Sequence, residues 1–229
     1  KIGLKKRMAN KKIKICHIAS VDITVKYLLM PQLKFLVAKG YDVSVVCSQG
    51  SLTKDIEAEG IKIKHIEITR KFFSPIKDLV AFLSLLFYFR KEKFDVIHTH
   101  SPKPGLLGQL AAKLAGVPQI INTIHGLYFT EDSSFLRKSL FSITEKISGQ
   151  CSTAIFSQNK EDIKTIIRER IADPKKVVYL GNGIDIAKFN AKRFSTEAIA
   201  KKKRELGLPE GYKIIGTVGR LVKEKGYVD

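Results

Sequence analysis

The stretch FDVIHTHSPKPGLLGQLAAKLAGVPQIINTIHG, residues 94–126, decides the predicted fold of this chain. Its first four residues are a short apolar run, as buried parallel strands are. Residues 106–115 are small, apolar and helix-favouring, and Gly116 is placed to cap that helix at its C-terminal end. A second apolar run covers residues 119–124. The stretch therefore predicts a strand, a helix and a second strand.

Polar residues follow both of these predicted strands. The tetrapeptide HTHS, residues 98–101, follows the first strand, and His125 with Gly126 follows the second. Ligands bind beyond the carboxyl ends of the strands in open α/β sheets, so we expect a site at this edge. An imidazole there can hydrogen-bond a hydroxyl group of a ligand or a developing charge, which makes His125 the best catalytic candidate.

The rest of the chain continues the same alternation of strands and helices. We predict further strands over 11–18, 41–48, 61–66, 152–157 and 176–180, and helices starting at Pro31, Leu52, Ser74–Pro75, Phe135 and Glu161. This order predicts an α/β fold with a doubly wound parallel sheet, Rossmann-like, over residues 11–185. No glycine lies between Gly3 and Gly40, so the first strand lacks the G-x-G-x-x-G loop of an NAD-binding domain.

Composition places the chain among globular proteins with an excess of positive charge. Of its 229 residues 44% are hydrophobic and 28% charged, and the net charge is +19. Such an excess suits an anionic partner: nucleic acid, an anionic membrane face or a phosphorylated substrate. A solvated lysine-rich surface is the alternative. The three cysteines, Cys16, Cys47 and Cys151, form no CxxC pair, which fits a reducing cytoplasm rather than a disulfide framework or zinc site.

One predicted helix is unusually apolar. Residues 79–89 are nearly all apolar, but a membrane-spanning helix needs about 20 such residues. We expect either a core helix or one that also offers an apolar face to a lipid surface.

The histidine pair in HTHS raises the question of a metal. His98 and His100 lie two residues apart, so they would share one face of a strand. The sequence indicates no third ligand, and we therefore predict no metal site and interpret His98 as structural. No pair of carboxylates suggests a glycoside hydrolase, although Asp22 follows the first strand and could reach a site there.

Three motifs together carry a family resemblance. They are DVIHTHSPKPGLLGQLAAKLAGVP followed by NTIHGL, then LGNGID at 180–185 with Phe189, then GRLVKEKG at 219–226. In this order they resemble the family 4 glycosyltransferases of the GT-B fold, over residues ~13 to 229. The resemblance implies an N-terminal acceptor-binding domain over 11–185, a linker over 186–211, and the start of a nucleotide-sugar-binding domain over 212–229, opening with a strand at Tyr212–Val218.

The same resemblance implies roles for individual residues. His125 would be catalytic at the cleft, with His100, Ser101 and Gly126 binding the acceptor. On the donor side, Gly219, Arg220 and Lys225 would hold the nucleotide diphosphate in place of a metal. The donor nucleotide sugar is a substrate, so no cofactor is expected. Many members of the family carry a glycine-rich loop after the first strand, and this chain does not.

The expected function is transfer of a sugar from a nucleotide-diphosphate sugar to a lipid-linked or polysaccharide precursor, with retention of configuration. We expect a cytoplasmic protein, peripheral at the inner membrane face, that is part of a longer enzyme and inactive alone. A sugar-nucleotide epimerase of GT-B architecture is one alternative. A basic nucleic-acid-binding domain is another, but the basic residues are dispersed and no binding motif is present, so no specific nucleic acid is expected.

Overall fold

A computed structural model of the chain describes residues 11–71, 73–127, 135–209, 211–219 and 221. Seven strands form one sheet in the order β3-β2-β1-β4-β5-β6-β7, and every neighbouring pair is parallel. The strands are β1 (Lys14–Ile18), β2 (Asp42–Cys47), β3 (Lys62–His65), β4 (Val96–His100), β5 (Gln119–Ile124), β6 (Ala154–Ser157) and β7 (Val177–Tyr179).

Helices connect the strands in the predicted alternation. The first, α1, has three segments: Asp22–Thr24, the π-helical Val25–Leu29, and Met30–Ala38. The others are α2 (Thr53–Glu57), α3 (Pro75–Glu92), α4 (Pro102–Leu114), α5 (Phe135–Cys151), α6 (Lys160–Arg168) and α7 (Thr196–Glu205).

Apolar side chains cover both faces of the sheet. Along β2, Val45 packs in a cluster with residues of α1 and α2, whereas its neighbour Val46 packs in a cluster with residues of α3 and α4. Successive side chains of a strand point to opposite faces, so these helices lie on opposite sides of the sheet. The predicted doubly wound α/β sheet is confirmed. Cys16 and Cys47 are fully buried in these clusters, as expected for small core residues.

Pro31 lies in the first turn of the α-helical segment Met30–Ala38, as predicted. The helix as a whole begins earlier than predicted, at Asp22, and runs through the π-helical turn Val25–Leu29 before it reaches the proline. Proline has no N–H to donate, and its ring clashes with the carbonyl four residues earlier in a regular α-helix. The wider π turn around Tyr27 relieves that clash, so the helix continues through the proline.

Asp22 ties two loops together at the carboxyl edge of the sheet. Its carboxylate accepts hydrogen bonds from the backbone N–H groups of Ile23 and Leu52, both at 2.8 Å, and the residue is only 5% exposed. A Cβ added at Gly50 would collide with this carboxylate. The position therefore gives Asp22 a structural role, since both carboxylate oxygens hold backbone groups.

The chain divides into two compact units, at Asn182 and Gly183. In the second unit, α7 lies within residues 186–211, the stretch expected to be a linker. The predicted strand over Tyr212–Val218 is wrong: these residues form no strand, and Ile215 and Val218 are fully exposed. A strand needs a hydrogen-bonded neighbour, and the described residues of the second unit contain no other strand.

Among the described residues, no helix combines the length and hydrophobicity needed to cross a bilayer.

The contact between Gly50 and Asp22 makes a testable prediction about stability. We expect Gly50→Ala to lower the free energy of unfolding by about 1–3 kcal/mol, because the new methyl group displaces the carboxylate from its backbone donors. Urea denaturation of Gly50→Ala, Asp22→Ala and the double variant measures this. In the Asp22→Ala background the added methyl group has room, so the double variant should lose less than the sum of the single losses. Additive losses would contradict the contact.

Candidate active site

Four polar side chains form a row across the carboxyl edge of the sheet. His17 is near the end of β1, His100 ends β4, His125 directly follows β5, and Gln158 directly follows β6. These four strands are consecutive neighbours in the sheet. The row therefore starts at β1 and β4, where the strand order reverses, which is the point where open α/β sheets bind ligands.

Hydrogen bonds join the row from end to end. Nδ1 of His17 lies 3.0 Å from Nε2 of His100, and Nδ1 of His100 lies 3.0 Å from Nε2 of His125. Nδ1 of His125 lies 2.9 Å from Oε1 of Gln158. Of the six ring nitrogens of these three histidines, only Nε2 of His17, which is fully buried, has no hydrogen-bond partner in the described part of the chain. We call these residues, His17, His100, His125 and Gln158, the imidazole row.

Burial keeps the imidazoles of this edge uncharged. Loss of solvation lowers the pKa of His17 to about 4 and holds the pKa values of His98 and His100 well below the usual range. The pKa of His125 is also lowered by burial, while its hydrogen bond to Gln158 opposes that shift. Neutral rings can each donate one hydrogen bond and accept one, as the row requires.

His98 stands beside the row on the same face of the sheet. It pairs in register with His17, and its Nε2 lies 2.7 Å from the hydroxyl oxygen of Thr123 on β5. The ring of Phe156 packs against it in a T-shaped arrangement, with the ring centres 5.8 Å apart. This buried, hydrogen-bonded setting agrees with the structural role expected for His98.

His17 is a third potential metal ligand beside His98 and His100, and sequence reasoning missed it. One ring nitrogen each from His17, His98 and His100 lie within 4.8 Å of one another. A zinc–nitrogen bond is about 2.0–2.1 Å, so two nitrogens on one ion can be at most about 4.2 Å apart. The facing nitrogens of His17 and His100 are also hydrogen-bonded to each other. The rings would have to move together to hold an ion, and the absence of a metal stays a prediction.

A cleft of about 520 Å³ opens beside His125. Lys160 lies in it with its ammonium 5.4 Å from the centre of the Tyr179 ring, and one carboxylate oxygen of Asp162 is buried there without a partner among the described residues. The cleft is lined by His125, Gly126, Gln158, Asn159, Lys160, Asp162, Tyr179 and Asn182. These amide, hydroxyl and charged groups suit a ligand rich in hydroxyl groups.

The structure places the four acceptor-side residues that the sequence indicated at this edge. His125 and Gly126 line the cleft. His100 is 1% exposed with both ring nitrogens occupied, so it presents no nitrogen to the cleft. Ser101 is half-buried between β4 and α4 and has a φ of 78°, a conformation that costs energy for a residue with a side chain.

The backbone conformation of Gly126 favours glycine at this position. A Cβ there would meet nothing within 4 Å of the protein, so space does not exclude a side chain. Its φ of 133° is the constraint, because residues with a side chain rarely adopt it.

The donor-side residues are less fully described. Gly219 is exposed in the second unit, and Arg220 and Lys225 lie outside the described residues. Sequence reasoning missed His17, Gln158 and Asp162. The available signal for His17 and Gln158 was a polar residue near or directly after the end of a buried strand. Asp162 lies in the first turn of α6, and its position gave no such signal.

The lowered pKa values predict that stability falls in acid. Unfolded histidines take up protons below about pH 6.5, whereas folded His17 does so only near pH 4. The folded state thus keeps its full stability above pH 6.5 and loses it as the pH falls towards 4, with His17 alone accounting for about 3 kcal/mol. Urea denaturation between pH 4.5 and 7.5 measures this loss.

Two variants control that measurement. His17→Phe should make the pH dependence shallower, while His65→Ala, at an exposed position on β3, should leave it unchanged. A free energy of unfolding independent of pH across this range would contradict buried neutral histidines.

Comparisons with known proteins agree with this fold. Residues 14–159 match the family model described as Glycosyl transferase 4-like. The chain is 30% identical over 224 residues to the UDP-Gal:alpha-D-GlcNAc-diphosphoundecaprenol alpha-1,3-galactosyltransferase of Escherichia coli, covering 96% of this chain and 56% of that one. It is 31% identical over 217 residues to the capsular polysaccharide biosynthesis glycosyltransferase CapM of Staphylococcus aureus, covering 93% and 54%. The chain spans about half the length of these curated relatives.

Solved structures share the fold at lower identity. A glycosyltransferase from Rickettsia africae superposes with a TM-score of 0.63 at 20% identity, covering 88% of this chain and 51% of that one. The UDP-GlcNAc 2-epimerase of Methanocaldococcus jannaschii gives a TM-score of 0.56 at 18% identity, covering 75% and 46%. Both are GT-B proteins, so the comparison identifies the sheet as half of that fold. With the match over residues 14–159, this chain belongs to the glycosyl transferase 4-like family.

Proposed function

We propose that this chain is the acceptor-binding part of a glycosyltransferase that moves a sugar from a nucleotide-diphosphate sugar to a lipid-linked or polysaccharide precursor. The observation that carries the proposal is the imidazole row ending at a polar cleft, at the carboxyl edge of the sheet. His125 is the one imidazole of the row that lines this cleft. An acceptor hydroxyl in the cleft would lie beside His125, as the catalytic role requires.

The names of the relatives support the acceptor class. The Escherichia coli relative is named for a diphosphoundecaprenol-linked acceptor and a UDP-galactose donor, and the Staphylococcus aureus relative for capsular polysaccharide biosynthesis. We extend the lipid-linked or polysaccharide acceptor to this chain. The polar lining of the cleft suits the sugar part of such an acceptor.

The donor side of the proposal rests on the sequence. Gly219, Arg220 and Lys225 would bind the diphosphate of the donor, with the two cations neutralising the charge that develops as it leaves. In this role they would replace a metal ion. Transfer with retention of configuration is part of the same proposal and follows from the family resemblance.

We further propose that the protein works at the inner face of the plasma membrane, docked through α3. This helix carries a second apolar stripe, opposite its buried one. Residues 76, 80, 83 and 87 recur at helical spacing and are 40–79% exposed, whereas Ala81, Leu85 and Phe89 are buried. We call the exposed stripe, with Phe73 and Leu79, the docking face.

Charge favours an anionic bilayer as the occupant of the docking face. A groove of about 700 Å³ along α3 is lined by apolar Ile76, Val80 and Phe87 together with Lys64, Lys77 and Lys91. Two carboxylates, Glu67 and Glu92, also line it, and Glu67 pairs with Lys77, so the lysines leave a small positive excess. Apolar side chains beside lysines are the pattern of helices that lie in the interface of anionic membranes. The net charge of +19 adds attraction over a longer range.

The catalytic proposal is tested in the complete enzyme by two substitutions. We expect His125→Ala to lower kcat by about 10²–10³-fold while donor binding stays nearly intact, by analogy with removal of one preorganised hydrogen-bond donor. Arg220→Ala should cost roughly 2–4 kcal/mol of transition-state stabilisation, because the leaving diphosphate loses a charge-assisted contact. Donor affinity and turnover are measured with UDP-galactose and a diphosphoundecaprenol-linked GlcNAc acceptor as first probes, followed by other nucleotide sugars.

The assay also separates the rival functions. Conversion of a nucleotide sugar without any acceptor would favour the epimerase, whose fold is related. Salt-sensitive binding to generic DNA, stronger than to anionic vesicles, would favour a nucleic-acid-binding domain. Loss of donor binding in His125→Ala, with normal turnover at saturating donor, would contradict the acceptor-side role of this histidine.

Membrane docking is tested with vesicles of anionic and neutral lipid. The protein should sediment with anionic vesicles and be released as salt rises, because screening weakens the attraction. Phe87→Glu should reduce this binding, since it puts a carboxylate in the docking face. Phe35→Glu is the matched control: Phe35 is a similarly exposed phenylalanine, 59% against 64%, on α1. Equal losses in both variants, or binding indifferent to lipid charge, would contradict docking through α3.

A further inference from the structure

The imidazole row allows only two arrangements of its protons. Each neutral imidazole has one N–H and one lone pair, so every contact in the row needs a donor facing an acceptor. Either all three histidines carry the proton on Nδ1, or all three carry it on Nε2. The choice at one end therefore fixes the tautomer at the other.

The buried end of the row favours the first arrangement. With protons on Nδ1, His125 donates to Oε1 of Gln158 as that amide stands, and the unpartnered Nε2 of His17 is a lone pair. With protons on Nε2, the amide of Gln158 would have to turn to donate to Nδ1 of His125, and a buried N–H of His17 would have no acceptor among the described residues. Buried N–H groups without an acceptor are rare in proteins, whereas unsatisfied acceptors are less so.

We propose that His100 and His17 are positioning residues that hold His125 in the neutral Nδ1–H tautomer, so that His125 meets its substrate as a hydrogen-bond donor. Nε2 of His125 is occupied by the N–H of His100 and cannot accept a proton from the cleft. The Nδ1–H becomes available when a substrate oxygen displaces the side-chain amide of Gln158, which also lines the cleft. The action on substrate rests on the function proposed above, but the tautomer does not.

Nuclear magnetic resonance of the histidine side chains tests the tautomer directly. The chain has five histidines, of which His65 is exposed and serves as an internal reference. Long-range ¹H–¹⁵N spectra of the ¹⁵N-labelled chain at pH 7.5 distinguish protonated from unprotonated ring nitrogens. We expect His17, His100 and His125 to be neutral and protonated at Nδ1. A proton on Nε2 of His125 would overturn the proposal.

Two variants show whether His100 or Gln158 fixes the tautomer. Gln158→Leu removes the acceptor at Nδ1 but leaves His100, so His125 should keep its proton on Nδ1. His100→Phe removes the donor to Nε2, and the amide of Gln158 can turn to either ring form, so both tautomers should become populated. If both tautomers of His125 became populated in Gln158→Leu alone, His100 would not be the residue that fixes the tautomer. The unsubstituted chain and Gln158→Leu keep the test decisive even if His100→Phe does not fold.

Turnover of the complete enzyme then separates the two proposals. We expect His100→Phe to lower kcat about tenfold or more at an unchanged KM for the donor, because the donor site is not altered. If His100→Phe populated both tautomers of His125 but left kcat unchanged, the positioning role would be overturned and the glycosyltransferase proposal would stand. An inactive unsubstituted enzyme with the Nδ1 tautomer in place would instead contradict the proposed function alone.

Discussion

The neutrality of the buried imidazoles is the constraint on which the carboxyl edge depends. His17 and His100 sit inside the sheet without any carboxylate in their hydrogen-bonded row. A proton added to His100 would turn its acceptor nitrogen into a donor and break the contact with His17, whereas one added to His17 would create a buried N–H without an acceptor among the described residues. Either proton would also place a charge in a poorly solvated interior. Burial prevents this by lowering both pKa values. The same desolvation that makes the edge sensitive to acid thus gives it a defined set of donors and acceptors at neutral pH.

Strand alternation explains why histidine and threonine share the HTHS motif. Along β4, His98 and His100 point to the face that carries His17, while Thr99 points to the opposite face. There the hydroxyl of Thr99 donates to the side-chain oxygen of Asn122 and accepts from the amide of Gln109 on α4. The motif therefore serves two polar networks, one on each side of the sheet.

The small residues of α4 make the second network reachable. A Cβ at Gly108 would lie 2.9 Å from side-chain carbons of Ile18 and Thr99, closer than carbon atoms can pack. Without this side chain α4 comes near enough for Gln109 to reach Thr99 and Ser152, both buried. The contacts of Gly108 and Gln109 with Thr99 thus fix α4 and β4 relative to each other. They hold the end of β4 on one face of the sheet, while the histidines of β4 point to the other face.

The sequence predicted the parts that follow from local pattern. Apolar runs predicted the seven strands of the sheet to within about three residues, and the position of His125 after β5 followed from its strand alone. The π turn before Pro31 could not be predicted, because a proline at that position also fits a helix start. His17 was missed for another reason. It lies in the run KICHI, where one polar residue looks like a tolerated exception. Its place in the row comes from the pairing of β1 with β4, and β4 begins 79 residues after His17 in the sequence.

The π turn before Pro31 and the imidazole row depend on the sequence over very different distances. A turn type depends on a few neighbouring residues and could be found by finer rules of helix geometry. The imidazole row depends on strand order: its members come from β1, β4, β5 and β6, and only the reversal between β1 and β4 makes these strands neighbours. Given the doubly wound order, polar residues at the ends of these four strands must share one edge. Fold prediction therefore has to precede site prediction here, since the pattern alone names candidates and only the topology brings them together.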